Sequence, residues 1–310
     1  MSTTDAGASP VELGVVRLFP KRKERRMNRP IVIYHGNCAD GFSAAWCFWR
    51  KYHDGADYVA GVYQQDPPNV TGRDVYLVDF SYKRAVVERM LAQANSVCLI
   101  DHHKTAIEDL QPLFMQDSWT GEPKQLAHFT DLNRSGATLA WDYLFPGEDR
   151  PLLLGHVEDR DLWRFKLPGT REIQAFVFSH EYSFDLWDKL MSADQVELLK
   201  MTAAGAAIER KHLKDVAELV GVCKRRMVIG GHDVPVASLP HTLVSDAAHL
   251  MAQGEPFAAC YWDTADGRVF GLRATDDGAD VSEVAKQYGG GGHAKAAGFK
   301  VPRGHALAVA

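Results

Sequence analysis

Four places along the chain put aspartate or histidine where chemistry can be done: His35 with Asp40, Asp79, the triplet Asp101-His102-His103, and Asp159 with Asp161. Taken singly, each has an ordinary explanation, because an aspartate after a strand commonly forms a turn or caps a helix. A lone histidine, too, is more often structural than a ligand. Together they ask for more. Collected at one end of a sheet, these carboxylates would repel one another unless cations neutralised them. Oxygen donors mixed with imidazoles suit two divalent cations held roughly 3.5–4 Å apart, which activate water and neutralise a leaving oxygen in phosphoryl chemistry.

The elements that must place these groups are legible as well. Ile31-Val32-Ile33-Tyr34, Val75-Tyr76-Leu77-Val78 and Val97-Cys98-Leu99-Ile100 read as strands buried on both faces, and they close on His35, Asp79 and Asp101. Helical spacing over 42–52 and 84–93 alternates with them. That alternation predicts parallel pairing with right-handed crossovers and a ligand site at the carboxyl ends of the strands. His35, Asp40, Asp79, Asp101 and His102 then converge on one rim. Ser135 reads as the N-cap of a helix, and a helix from 151 runs into the acidic Glu158-Asp159-Arg160-Asp161.

From 192 to about 219 the composition predicts a long connecting helix. Beyond it, strand-like runs at 227–229, 234–237, 257–262 and 269–272 are separated by glycine and aspartate, as in a smaller mixed α/β unit. The expected organisation is a disordered leader over 1–28 carrying a basic run at 21–26 and a second methionine, Met27. A catalytic domain over 29–190, a connecting helix over 191–225 and a substrate-binding domain over 226–310 follow it.

The second unit carries Gly289-Gly290-Gly291-Gly292-His293-Ala294-Lys295. Glycines there let backbone N–H groups approach an anion, with His293 and Lys295 adding charge. Arg273 ends the 269–272 run and is able to make a bidentate phosphate contact. His241 and Ser245 are weighed equally between lining this cleft and a structural role. Trp46, Trp49, Trp141 and Trp163 read as core, while Tyr261 and Trp262 point to opposite faces of a strand, one of them suited equally to a base or to the core.

Taken in order, His35 with Asp40-Gly41, Asp79, Asp101-His102-His103, Asp159-Arg160-Asp161-Leu162-Trp163 and the glycine-rich 289–299 resemble the DHH phosphoesterases that carry a C-terminal DHHA1 domain. The resemblance spans about residues 30–302, and the DRDLW segment is most similar to the oligoribonuclease, or nano-RNase, branch, which trims very short oligonucleotides. It implies an α/β fold: an N-terminal DHH domain with a mainly parallel sheet flanked by helices, a connecting helix and a smaller α/β DHHA1 domain. It implies that His35, Asp40, Asp79, Asp101, His102 and Asp159 hold the metals, with Asp79 bridging and Asp161 as the fallback for Asp159. Asp101 would orient His102 or share the coordination, and His103 would face the scissile phosphate, which makes these two the catalytic pair. Arg273, Gly290, Gly291, Gly292 and His293 would bind substrate. Two divalent cations are implied, manganese preferred because imidazoles join the carboxylates, magnesium second. One departure stands out. Many relatives carry two aspartates in the first loop, whereas Asn37-Cys38-Ala39-Asp40 supplies one, which leaves a site more open or assisted by Asn37. A thiolate ligand from Cys38 is the lesser alternative, since its neighbours are oxygen donors, and Cys38 reads first as a packed or solvent-facing thiol.

Composition bounds the rest. At 310 residues, 46% hydrophobic and 24% charged, the chain has the make-up of a two-domain globular protein, which excludes fibrous and wholly disordered classes. A net charge of −5 argues against coating long nucleic acid. Five scattered cysteines without a C-x-x-C pair indicate neither a disulfide framework nor a structural zinc site, and suit a reducing cytoplasm. No membrane span or signal sequence is visible. The function expected is a metal-dependent phosphodiesterase that releases 5′-mononucleotides from short oligonucleotides, and a homodimer is compatible with it. A small phosphate compound is the rival substrate: a cyclic or linear dinucleotide, 3′-phosphoadenosine 5′-phosphate, pyrophosphate or polyphosphate. The rival from another class is a non-catalytic nucleotide- or RNA-binding module, which would have no need of costly buried ligands.

Overall fold

The computed structural model describes residues 29–36, 38–63, 65–114 and 126–309. The leader 1–28 and Asn37 lie outside the described residues. The first half follows the βα alternation: β1 (Ile31–His35), α1 (Ala39–Tyr52), β2 (Asp57–Gly61), β3 (Asp74–Val78), α2 (Arg84–Gln93), β4 (Ser96–Asp101), α3 (Lys104–Leu110) and β5 (Ala127–Thr130). The strands form one parallel sheet in the order β2-β1-β3-β4-β5. Ile31, Ile33, Leu77 and Leu99 bury one face, and Val32, Val78 and Ile100 the other, so both faces are covered, as the continuous apolar runs require.

Four helices follow: α4 (Gly136–Leu144), α5 (Leu152–Asp161), α6 (Thr170–Phe178) and α7 (Phe184–Met191). They enlarge the core around Trp46, which stacks on Trp141, and Trp187, whose indole N–H donates to Ser43 at 3.0 Å. Ser135 caps α4, its hydroxyl accepting from the Thr138 N–H.

α8 (Gln195–Cys223), capped by the Asp194 carboxylate, leads to the second sheet. That sheet comprises β6 (Arg225–Ile229), β7 (His232–Ser238), β8 (Ala258–Asp263), β9 (Gly267–Arg273), β10 (Gly291–Gly292) and β11 (Ala296–Pro302), with α9 (Val244–Met251) and α10 (Val281–Lys286) against it and α11 (Ala306–Val309) at the end. The strand order is β10-β11-β9-β8-β7-β6, antiparallel except for the β7–β8 pair. Tyr261 is buried against Phe270, and Trp262 packs beside Ala258 and Cys260, so both belong to the core of this sheet.

Candidate metal centre

The register of the first sheet sets the level of the site. Tyr34 pairs with Val78 and Val78 with Ile100, so His35, Asp79 and Asp101 leave the sheet side by side. Asp79 turns with φ +51, a left-handed conformation an aspartate adopts at a cost of order 1–3 kcal/mol, and this aims its carboxylate over the strand ends. The N-terminus of α4 comes close enough that a Cβ on Gly136 would sit 2.5 Å from Asp79 Cβ, so this position has room only for glycine. The N–H groups of Gly136 and Ala137 donate to the two oxygens of Asp40 at 2.7 and 3.0 Å, placing that carboxylate on a helix N-terminus.

The two Asp79 oxygens face different partners. Oδ2 is 3.4 Å from His35 Nδ1, while Oδ1 is 3.1 Å from His102 Nε2 and 3.7 Å from His103 Nδ1. His102 Nε2 is also 3.6 Å from Asp40 Oδ2 and 3.5 Å from Asp161 Oδ2, so three carboxylates crowd one imidazole nitrogen. Asp101 Oδ1 accepts from the backbone N–H groups of His102 and His103 and lies 2.7 Å from His103 Nδ1. The ring that Asp101 orients is therefore that of His103, not that of His102.

Charge is unbalanced here. Burial, then Asp161 and Asp79, pushes the Asp40 carboxyl up. Burial opposes the His102 charge, yet Asp161 and Asp79 lift its pKa well above the usual histidine range. Burial likewise works against Asp79, but the neighbouring His102 and His35 imidazoles hold its carboxyl below the usual range. Among the described residues no lysine or arginine pairs with Asp40, Asp79, Asp101 or Asp161. Three buried polar atoms, His35 Nδ1, His102 Nδ1 and Asp101 Oδ2, have no hydrogen-bond partner. Uncompensated buried charge and orphaned polar atoms on hard and imidazole ligands fit divalent cations. The groups Asp79-Asp101-His102-His103, Asp40-His102-Asp161, His35-Cys38-Asp79 and His102-His103-His293 each bring one ligand atom per residue within 4.8 Å of the others.

Several expectations are corrected. Asp159 does not join the cluster: its oxygens accept from the N–H groups of Lys166 and Leu167 and from the Thr170 hydroxyl at 2.8, 3.0 and 2.7 Å. It fastens the loop after α5, and Asp161, two residues on and on another side of the helix, faces His102 instead. His293 belongs to the centre, its ring 4.5 Å from those of both His102 and His103. Burial, then the neighbouring His103 and His102, push it down to about 2, so it stands there as a neutral imidazole.

The glycines do not form an open anion cradle. The N–H of Gly290 donates to Ala285 O, that of Gly292 to Thr105 Oγ1 and that of His293 to Ala296 O. A Cβ on Gly291 would meet Thr105 Oγ1 at 2.5 Å. The glycines thus let the edge of the second sheet press against α3, and this carries His293 to the centre. Lys295 is spent on the carbonyls of Asp276 and Gly278.

Arg273 ends β9 with Nη2 donating to Ser245 Oγ and Nη1 to Leu272 O, both at 2.8 Å. Burial, then the charge of Arg160, brings it down to about 10. Sequence reading missed Arg160, which lies over Phe178 at 4.6 Å and Trp163 at 5.7 Å. Its place between Asp159 and Asp161 was the available signal. Ser245 holds Arg273, and His241 sits beside Trp262.

No family model matches the chain. An uncharacterised protein, R106, of Acanthamoeba polyphaga mimivirus is 29% identical over 295 residues, 87% of this chain, and the chain spans 66% of that protein's length. Among solved structures, a pGpG-specific phosphodiesterase, PggH, from Vibrio cholerae is 17% identical with a TM-score of 0.46, over 88% of this chain and 93% of its own. An exopolyphosphatase-related protein from Bacteroides fragilis is 12% identical with a TM-score of 0.44, over 92% and 90%. These likenesses assign no role to any side chain of the site.

Proposed function

We propose that the chain is a metal-dependent phosphoesterase of the DHH/DHHA1 type that cleaves phosphodiesters in short oligonucleotides or dinucleotides. The observation that carries this reading is the division of the Asp79 carboxylate, Oδ2 toward His35 and Oδ1 toward His102 and His103. Asp40 and Asp161 complete the His102 side, and His35 holds the other. Bound divalent cations would supply Lewis acidity to a phosphoryl oxygen and an activated water at neutral pH. His103, oriented by Asp101, is half-buried and stands beside His293, where its ring can pass a proton to a phosphate oxygen. Arg273, fixed by Ser245 and the Leu272 carbonyl, offers a second anion a grip.

Small substrates are favoured by the direct seating of the second unit's glycine-rich edge on the first unit, through Gly292 on Thr105 of α3 and His293 on the two histidines. The test is turnover by full-length protein, freed of metal and reloaded with manganese or magnesium, on a linear dinucleotide, a cyclic dinucleotide, graded oligonucleotides and pyrophosphate. Metal-dependent cleavage of the phosphodiesters is expected. Binding without turnover of any of them would turn the reading toward a nucleotide-binding module.

A further inference from the structure

The two sides of the centre differ in chemistry. The His102 side is rich in oxygen: Asp40, Asp161 and Asp79 Oδ1 surround one imidazole. On the other side stand His35, Asp79 Oδ2 and Cys38, with an imidazole nitrogen, a carboxylate oxygen and Sγ all within 4.8 Å of one another.

Cys38 is the N-cap residue of α1, with extended backbone (φ −133, ψ 136), and its side chain makes no capping hydrogen bond. Serine, threonine, aspartate and asparagine are the residues that cap well, because their oxygens accept from the first-turn N–H groups. A thiol is a weak acceptor, so capping does not account for cysteine here. Independently, His35 Nδ1 is buried without a hydrogen bond, 3.4 Å from Asp79 Oδ2, and the His35 ring is flanked by Tyr63 at 5.6 Å and His103 at 6.0 Å. A nitrogen, an oxygen and a sulfur thus lie within 4.8 Å of one another, the nitrogen without a hydrogen bond.

We propose that Cys38 is a thiolate ligand of the cation held by His35 and Asp79, so that the two metal positions of this centre are inequivalent. The inference rests on the two-cation reading above and deepens it. On binding, the S–H bond breaks, an S–metal bond forms and the proton leaves to solvent. A sulfur, nitrogen and oxygen set selects zinc, cobalt or ferrous iron over magnesium, while the oxygen-rich side suits manganese or magnesium. The centre then holds two different metals when both kinds are offered.

Cobalt(II) is the probe, added to full-length protein stripped with a chelator. Visible d–d absorption reports occupancy, and a near-ultraviolet thiolate-to-cobalt charge-transfer band reports the sulfur bond. Wild type should show both. Cys38→Ser should keep the d–d absorption and lose the charge-transfer band, with at least about tenfold weaker binding of one cobalt, whereas Cys223→Ser should keep both. In wild type alone, alkylation at Cys38 followed by peptide mass analysis should slow at least tenfold with saturating cobalt and recover on chelation, a readout that stands even if Cys38→Ser misfolds. Cobalt bound without a charge-transfer band, a band that survives Cys38→Ser, or unprotected Cys38 overturns the ligand role and leaves the two-cation reading standing. No cobalt bound at all sinks both.

Discussion

Asp159 and Asp161 sit two positions apart near the end of one helix, and their environments separate their roles. Asp159 accepts three hydrogen bonds from the loop and helix that follow, whereas Asp161 faces His102 Nε2 at 3.5 Å. Asp161→Asn should therefore keep the unfolding midpoint near wild type while lowering kcat/KM more than about 100-fold and weakening metal retention, beyond the 10–100-fold typical of residues that only support a ligand. Asp159→Ala should do the reverse, costing about 1–3 kcal/mol through the lost hydrogen bonds to the loop and the buried Thr170 hydroxyl, with metal content unchanged. Metal analysis beside urea unfolding separates the two; loss of metal from the Asp159 variant with Asp161 intact would reverse the assignment. Asp79→Asn removes the one carboxylate that faces both sides, so both metal equivalents should be lost from the protein on gel filtration and turnover should fall at least as far. Two retained equivalents would show that Asp79 does not bridge.

At the scale of elements, Asp246 at the start of α9 ties three helices together. It accepts from Arg171 of α6 at 3.0 Å and lies 3.0 Å from His212 of α8. Burial opposes its charge, but the hydrogen bonds from His212 and Arg171 bring its pKa down from the ordinary 3.8 to about 2. A depressed carboxylate contributes stability that is present above its ordinary range and lost as pH falls from about 4 to about 2, on the order of 2 kcal/mol. The His212 pKa is raised, chiefly by its hydrogen bond to Asp246, so its share is present below the ordinary 6.5 and lost as pH rises through the folded value. The clamp is thus strongest between about pH 4 and 6.5. Asp246→Asn should lower the unfolding free energy by about 2 kcal/mol inside that window and by less on either side. A difference from wild type that is flat from pH 3 to 9 would mean the contribution is packing rather than charge.

For the whole molecule, the proposed preference for short substrates rests on how the second unit meets α3. The second unit rests on α3 of the first through Gly292 and Thr105, Lys104 and Asp280 at 2.6 Å, and Lys286 of α10 and Glu108 at 2.6 Å. A substrate that reaches both the centre and Arg273 gains nothing from nucleotides added beyond the junction, and a chain of net charge −5 has no excess basic surface to hold them. The ratio kcat/KM should accordingly fall as oligonucleotides lengthen from about two to about twenty residues. A ratio that holds or rises with length would reveal a nucleic-acid track outside this cleft.

What was legible in the sequence is what is local in it. A β-branched run and the polar residue that ends it are neighbours in the chain, so His35, Asp79 and Asp101 could be placed at strand ends, and the βα alternation predicted their parallel order. β2 and β5 were missed because they are half-exposed edge strands without an apolar run, defined by their backbone pairing to β1 and β4. The choice of Asp161 over Asp159 depends on helix phase and on the loop that folds back to occupy Asp159. His293 lies 190 residues from His103 in the chain, and only the packing of the glycine-rich edge against Thr105 brings their rings together. Composition cannot carry that information, because the energy resides in contacts between segments that the chain order leaves far apart.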